Sequence, residues 1–307
     1  MPQYMAQTTK QVTQHAIQQP TKQATLIDCI DGTRLACTLL AADGSGHKPN
    51  SPIRYVIINS ATAVRRSFYS AFAQYLARDG FQVLTWDARG IGDSRRGPAK
   101  HDTARMRDWG ALDFEAVLQH VRTLAGDWGS ISVIGHSSGG HLSGLAPSFQ
   151  HVHQLALVAS GTCDWRLYPV GEWPRLLAAW YGLAPALLGT LGYFPGKLGL
   201  GHDLPPGVAW DWRNWSARKG YLFTDPSLDL VGYAAFKGKL LALHFTDDIG
   251  FAPLATVTDL LRHFQSANIE RVEFNPRKRH HAPVGHFGFF SQKNSDLWPL
   301  LKQRLGS

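Results

Sequence analysis

Short apolar runs alternate with helical patterns over most of the chain from residue 55 onward. Runs of this length are typical of strands that are buried on both faces, and their alternation with helices is typical of a parallel sheet covered by helices. The sequence therefore predicts an α/β fold. The predicted strands are residues 25–30, 33–40, 55–58, 81–86, 131–134, 155–159, 240–245 and 269–274. The predicted helices are residues 67–78, 108–124, a helix after Ser137, and residues 173–181, 253–265 and 291–305.

The alternation is interrupted once, and this interruption suggests the domain organisation. Residues 162–238 are rich in Trp, Tyr, Pro and Gly and offer only short helical patterns. We interpret them as a cap inserted into a core formed by residues 25–161 and 239–307. Residues 1–24 are rich in Gln and Thr and poor in apolar residues, so we predict a flexible N-terminal tail.

Composition limits the cellular setting and the partners. The chain has 307 residues, 44% of them hydrophobic, and a formal net charge of +8. No single stretch carries the excess charge, which favours a generally basic surface and no nucleic-acid partner. No transmembrane segment and no signal peptide are predicted, so the expected location is the cytoplasm. Three cysteines, Cys29, Cys37 and Cys163, do not make a disulfide framework and are expected to be free thiols.

The strongest local signal is the segment Gly135-His136-Ser137-Ser138-Gly139-Gly140. It places Gly-x-Ser-x-Gly between a predicted strand and a predicted helix. A serine at such a turn has strained backbone geometry, and its hydroxyl projects above the sheet. Glycines two residues to either side remove side chains that would collide in a turn this tight. The motif predicts that Ser137 is a nucleophile; a glycine-rich turn without chemistry is the alternative.

A second segment, Trp86-Asp87-Ala88-Arg89-Gly90-Ile91-Gly92-Asp93-Ser94, lies upstream of this motif. Together the two resemble the α/β-hydrolase superfamily over about residues 25–305, apart from the cap. Gly285-His286-Phe287-Gly288-Phe289-Phe290 also resembles a subgroup of bacterial hydrolases. The resemblance implies the α/β-hydrolase fold, a mostly parallel central sheet flanked by helices with an inserted helical cap. It also implies that the catalytic groups follow in the order Ser, acid, His.

The acid and the base are assigned from that order. In the family the acid follows the strand predicted at 240–245, often in the spacing His-Gly-x-x-Asp. His244 to Asp248 fits this spacing, so the resemblance favours Asp248, with Asp247 as the alternative. The base should follow the last strand. His286 is favoured because its glycine neighbours suit a loop that brings an imidazole over the nucleophile. The alternatives are His280 and His281, which lie in a basic loop.

The oxyanion hole requires two backbone N–H groups. One is expected from Ser138, the residue after the nucleophile. The other should come from the loop that follows the strand at 55–58, and Ala61 is the preferred donor, with Thr62 next. Many family members have His-Gly where this chain has Asn59-Ser60. A backbone donor tolerates this departure.

These assignments predict a serine hydrolase that cleaves a carboxylic ester of a small-molecule acyl substrate through an acyl-enzyme. The alternatives are a thioesterase, amidase, peptidase or acyltransferase that uses the same triad, and a non-catalytic ligand-binding relative. No cofactor and no metal are expected. His151 and His153 could share one face, but no third ligand has suitable spacing. The tryptophans of the cap could line an acyl pocket or form the core of the cap itself. The oligomeric state is left open.

Overall fold

One eight-stranded sheet forms the centre of the molecule. The structure is a computed structural model, and it describes residues 20–41, 52–199 and 201–305. The strands are β1 (Thr21–Asp28), β2 (Arg34–Ala41), β3 (Arg54–Asn59), β4 (Gln82–Trp86), β5 (Ser130–His136), β6 (Gln154–Val158), β7 (Lys239–Phe245) and β8 (Asn268–Phe274). All eight agree with the predicted strands to within a few residues.

The strand order in the sheet is β1-β2-β4-β3-β5-β6-β7-β8. The pairs β1–β2 and β2–β4 are antiparallel, and every other neighbouring pair is parallel. Parallel strands need crossover connections, which the flanking helices supply. The predicted fold class, a mostly parallel sheet flanked by helices, is confirmed.

Ten α-helical segments lie on and around the sheet within the described residues. They are α1 (Ser70–Arg78), α2 (Met106–Asp108), α3 (Glu115–Ala125), α4 (Ser138–His141), α5 (Trp173–Leu177), α6 (Ala184–Leu191), α7 (Pro206–Ala217), α8 (Val231–Ala235), α9 (Leu254–Leu261) and α10 (Pro299–Lys302). A π-helical stretch joins α2 to α3, and another joins α5 to α6. The predicted helix at 108–124 is therefore one continuous helical rod from Met106 to Ala125.

The central strands pack against apolar layers on both faces of the sheet. In β3, Tyr55 and Ile57 contribute to one apolar cluster, whereas Val56 and Ile58 contribute to the other. Successive side chains of a strand point to opposite faces, so an unbroken apolar run fills both layers. The same run that predicted the strand therefore also accounts for its buried, central position.

Two predicted boundaries are wrong. The helix predicted at 291–305 is interrupted, because Asn294 has non-helical backbone angles and α10 begins only at Pro299. Proline has no N–H to donate and is tolerated at the first turn of a helix but not inside one. In addition, β1 begins at Thr21, so residues 21–24 belong to the sheet and not to the tail. The rest of that prediction, at residues 1–19, lies outside the described residues.

The segment between β6 and β7 is helical, with α5, α6, α7 and α8 following one another. Its aromatic residues form edge-to-face pairs, Trp165 with Trp173 and Trp180 with Trp212. Trp215 is 1% exposed and belongs to the larger apolar cluster. The aromatics thus contribute to packing within this segment, while its role as a cap over the site stays a prediction. None of the helices in the described ranges is long and apolar enough to cross a membrane.

Candidate active site

The residues singled out in the sequence gather at one edge of the sheet. Ser137 follows β5, Asp248 follows β7, and His286 lies in the loop after β8. These strands are parallel, so their carboxyl ends meet at the same edge, which is where open α/β sheets bind ligands. The loop after β3, residues 60–63, begins at the same edge, and we call it the oxyanion loop after the role predicted for it.

Ser137 lies in a strained turn between β5 and α4. Its φ of 53° and ψ of −120° are unusual for a residue with a side chain. Such geometry costs on the order of 1–3 kcal/mol and persists only where the surrounding structure enforces it. A Cβ at Gly135 would come within 2.3 Å of the Gly140 Cα, and one at Gly139 within 2.3 Å of the Asn59 carbonyl oxygen. The two glycines therefore let the turn close against α4 and the oxyanion loop.

His286 and Asp248 form a buried pair. The His286 Nδ1 lies 2.7 Å from the Asp248 Oδ2, and the two residues are 8% and 3% exposed. A carboxylate in this position accepts a hydrogen bond from the Nδ1–H group, which leaves the Nε2 lone pair free to act as a base. The structure thus places Asp248, and not Asp247, on the imidazole.

Asp247 has a different partner, the backbone of the loop that carries His286. Its Oδ2 accepts hydrogen bonds from the N–H groups of Val284 (2.7 Å) and Gly285 (3.0 Å). Gly285 has a φ of 55°, a conformation that glycine adopts without strain. The adjacent carboxylates therefore divide two tasks: Asp248 contacts the imidazole, and Asp247 anchors its loop.

Phe251 covers one face of the imidazole. Its ring is stacked on that of His286, with centroids 4.6 Å apart. Two residues of the segment between β6 and β7 hold the backbone beside it: the Tyr168 hydroxyl donates to the Phe251 carbonyl oxygen (2.7 Å), and Arg175 donates to that of Gly250 (3.0 Å). The segment predicted as the cap is thereby fastened to the loop that follows Asp248. The sequence contained no signal for Phe251.

The other candidate histidines of the last loop do not contact this pair. His281 lies 3.2 Å from the Asp296 carboxylate, and its ring packs edge-to-face against Phe274. His280 ends a short 3₁₀ helix at residues 277–279 and is exposed. Of the three histidines predicted as possible bases, the structure brings only His286 to Asp248.

The oxyanion loop departs from the prediction at Ala61. Its N–H donates to the Tyr69 hydroxyl oxygen at 2.9 Å, so this donor is already used inside the protein. This hydrogen bond argues against the prediction that Ala61 supplies the second oxyanion donor. Thr62, the next residue of the loop, becomes the candidate. Ser138 is the first residue of α4, and the first N–H groups of a helix have no partner within the helix.

Asn59, the last residue of β3, supports the oxyanion loop through side-chain hydrogen bonds. Its amide nitrogen donates to the Ser143 hydroxyl at 3.0 Å, and its amide oxygen accepts from the Trp86 indole at 3.0 Å. Asn59 is 2% exposed, so these contacts satisfy a polar group that would be costly to bury alone. The sequence indicated only that Asn59 stands where the family has histidine, and its bracing role was missed.

Two histidines near the turn that holds Ser137 are fully buried and neutral. Burial lowers the pKa of His136 to about 3, and the nearby His286 lowers it further. Burial also lowers the pKa of His141 to about 3, with His286 again contributing in the same direction. A neutral imidazole has one donor and one acceptor nitrogen, so both rings can be held in a fixed tautomer.

These buried histidines should make the protein sensitive to acid. Their pKa values in the folded state lie below the value of about 6.5 expected in the unfolded chain. The unfolded state therefore binds more protons, and the free energy of unfolding should fall as the pH drops from about 6.5 toward 3. The expected slope is about 1.4 kcal/mol per pH unit for each histidine. Urea unfolding at a series of pH values measures it.

The matched variant is His141→Gln, which cannot take up a proton at that position. Its free energy of unfolding should fall less steeply below pH 6, by about one proton, than that of the native protein. Carboxylates contribute equally to both proteins and cancel in this difference. An identical slope in the two proteins would show that His141 is not held neutral.

Known proteins resemble the chain in sequence and in structure. Residues 50–192 match the model of a hydrolase family described as serine aminopeptidase, S33. A comparison with curated protein sequences finds no match. The fold is similar to that of an esterase from Pyrococcus furiosus, with 14% identity and a TM-score of 0.58 over 94% of this chain and 92% of that one.

Two further solved structures give the same result. An esterase from Exiguobacterium antarcticum is 15% identical, with a TM-score of 0.59 over 93% of this chain and 100% of that one. An N-acyl homoserine lactone degrading enzyme is 16% identical, with a TM-score of 0.55 over 91% of this chain and 100% of that one. At these identities the similarity concerns the fold.

Proposed function

Because the chain has the α/β-hydrolase fold, we propose that it is a serine hydrolase that cleaves carboxylic esters with Ser137, Asp248 and His286. The observation that carries the proposal is the buried 2.7 Å pair of His286 and Asp248 at the sheet edge where the strained turn holds Ser137. The esterase neighbours support the same class of reaction, and the family match supports a hydrolase that uses a serine.

In the first step, the His286 Nε2 accepts the proton of the Ser137 hydroxyl while the Oγ attacks the ester carbonyl carbon. The imidazolium keeps its Nδ1 proton and donates a hydrogen bond through it to Asp248, whose negative charge stabilises the imidazolium. The carbonyl oxygen becomes an oxyanion, and we assign its two donors to the N–H groups of Ser138 and Thr62. The tetrahedral intermediate then collapses, and the departing alkoxide takes the proton from the His286 Nε2.

The second step hydrolyses the acyl-enzyme. A water molecule gives a proton to the His286 Nε2 and attacks the acyl carbon, and the new tetrahedral intermediate releases the acid as the Ser137 Oγ regains its proton. The Phe251 ring on His286 supports this role, because a covered imidazole is held in one orientation and partly shielded from water.

Labelling with a fluorophosphonate probe tests the proposal. The native protein should be labelled, and labelling should be lost in Ser137→Ala. Ser138→Ala is the matched control, since it removes the neighbouring hydroxyl but keeps the backbone N–H, and it should be labelled. A native protein that is not labelled and hydrolyses no ester would favour the non-catalytic, ligand-binding alternative.

Peptide-bond cleavage is the second candidate, because the matching family is described as serine aminopeptidase. Both reactions use the same nucleophile, so labelling cannot separate them. We expect a panel of p-nitrophenyl esters of graded acyl length and lactones to give higher kcat/KM than aminoacyl p-nitroanilides. The opposite ranking would replace the ester by the amide as the substrate class.

A further inference from the structure

A continuous series of buried hydrogen bonds connects the oxyanion loop with the loop that carries His286. The Ala61 N–H lies 2.9 Å from the Tyr69 hydroxyl oxygen, which lies 2.8 Å from the His136 Nδ1. The His136 Nε2 lies 2.9 Å from the His286 carbonyl oxygen. Tyr69 and His136 are 0% exposed, so these groups have no access to water.

The direction of every proton in this series follows from its last member. A carbonyl oxygen only accepts, so the His136 Nε2 must carry the ring proton and donate it to His286. Burial keeps the pKa of His136 far below its ordinary range, so the ring is neutral and its Nδ1 is an acceptor. The Tyr69 hydroxyl therefore donates to Nδ1, and its oxygen is left to accept the N–H of Ala61. Each buried group has a partner of the opposite kind.

The series joins three parts of the site that are remote in sequence. Tyr69 precedes α1, His136 immediately precedes Ser137 at the end of β5, and His286 lies beyond β8. The Tyr69 ring is itself fixed by edge-to-face contacts with Phe68 and Phe290, whose ring centroids lie 5.1 and 4.9 Å away. Its hydroxyl is therefore held in a defined place between the oxyanion loop and His136.

We infer that Tyr69 and His136 are positioning residues, which set the distance between the oxyanion donors, the nucleophile and the imidazole. The inference rests on the proposed serine-hydrolase function. It also explains why the Ala61 N–H is unavailable to substrate: this donor fixes the oxyanion loop, and a neighbouring N–H is left for the oxyanion. An error of about 1 Å in such an arrangement can cost on the order of 100-fold in rate.

Tyr69→Phe tests the inference because it removes only the hydroxyl and keeps the ring contacts. We expect kcat for the best ester to fall by about 10- to 100-fold, with KM within about twofold of the native value. The matched control is Tyr55→Phe. Tyr55 is 8% exposed, and its hydroxyl donates to the Leu124 carbonyl oxygen at the far end of β3. This variant loses a comparable hydrogen bond and should keep its kcat.

The outcomes separate the possible errors. A native kcat in Tyr69→Phe, or an equal loss of kcat in Tyr55→Phe, would overturn the inference. A native protein without hydrolytic activity would instead end the proposed function.

A second measurement needs no variant: the imidazole ¹⁵N spectrum of the native protein should show His136 as the Nε2–H tautomer, unchanged between about pH 5 and 9. The Nδ1–H tautomer, or protonation within this range, would also overturn the inference.

Discussion

His286→Ala is expected to lower kcat by on the order of 10⁶-fold, the size of loss seen when the base of a serine triad is removed. Without the imidazole, the Ser137 hydroxyl loses the base assigned to it, and a neutral hydroxyl is a poor nucleophile at pH 7. KM should change much less, because the base interacts most strongly with the transition state. Steady-state kinetics with the ester that the native protein cleaves best measure both values.

His281→Ala is the matched control for this prediction. His281 lies five positions earlier in the same loop, contacts Asp296 and Phe274, and is absent from the His286–Asp248 pair. Its removal should leave kcat within about threefold of the native value. If His281→Ala loses as much activity as His286→Ala, the loss in His286→Ala comes from disturbance of the loop and not from removal of the base. A His286→Ala protein with more than about a tenth of the native kcat would refute the assignment of the base.

The central sheet could be predicted from the sequence because its strands are buried on both faces. A strand in that position has to be apolar at successive residues. Val56, Ile57 and Ile58 therefore indicate a buried strand without reference to any other part of the chain. The edge strand β1 behaves differently. Most of its side chains are exposed, so Thr21 to Ala24 have the composition of a tail, and only pairing with β2 shows that they form a strand.

The candidate site was predictable where backbone geometry demands particular residues. Gly135 and Gly139 leave no space for a Cβ, so the turn around Ser137 has a sequence signature. The Tyr69 hydroxyl has no such signature. Tyr69 follows Ala61 by eight residues, and no residue type or spacing in this stretch indicates that its hydroxyl meets the Ala61 N–H. The hydrogen bond that engages the Ala61 N–H within the protein could therefore not be predicted from the local sequence.

The choice between adjacent carboxylates illustrates the same limit. Asp247 and Asp248 are chemically identical, and the spacing from His244 favoured the second only by resemblance. The structure separates them by their contacts in the turn that follows β7. One reaches the His286 imidazole and the other the backbone N–H groups of Val284 and Gly285. Substituting the two carboxylates one at a time should therefore change kcat by very different factors.

Asp248→Asn is expected to lower kcat by about 10⁴-fold. The variant keeps the shape of the side chain but loses the negative charge that stabilises the imidazolium. Its amide can also present an N–H to the His286 Nδ1, which would hold the imidazole in the wrong tautomer for accepting the Ser137 proton. Labelling by a fluorophosphonate should slow in parallel with kcat, because both reactions need the same activated serine.

Asp247→Asn is the paired variant, and it should behave in the opposite way. The asparagine carbonyl oxygen can still accept from the Val284 and Gly285 N–H groups, and the amide nitrogen can replace the Asp247 Oδ1, which has no partner among the described residues. We expect a loss of about 1 kcal/mol in stability, since a charged acceptor becomes neutral, and kcat within about tenfold of the native value. If Asp247→Asn instead loses more activity than Asp248→Asn, the acid of the triad is Asp247, and the 2.7 Å contact between His286 and Asp248 has no catalytic role.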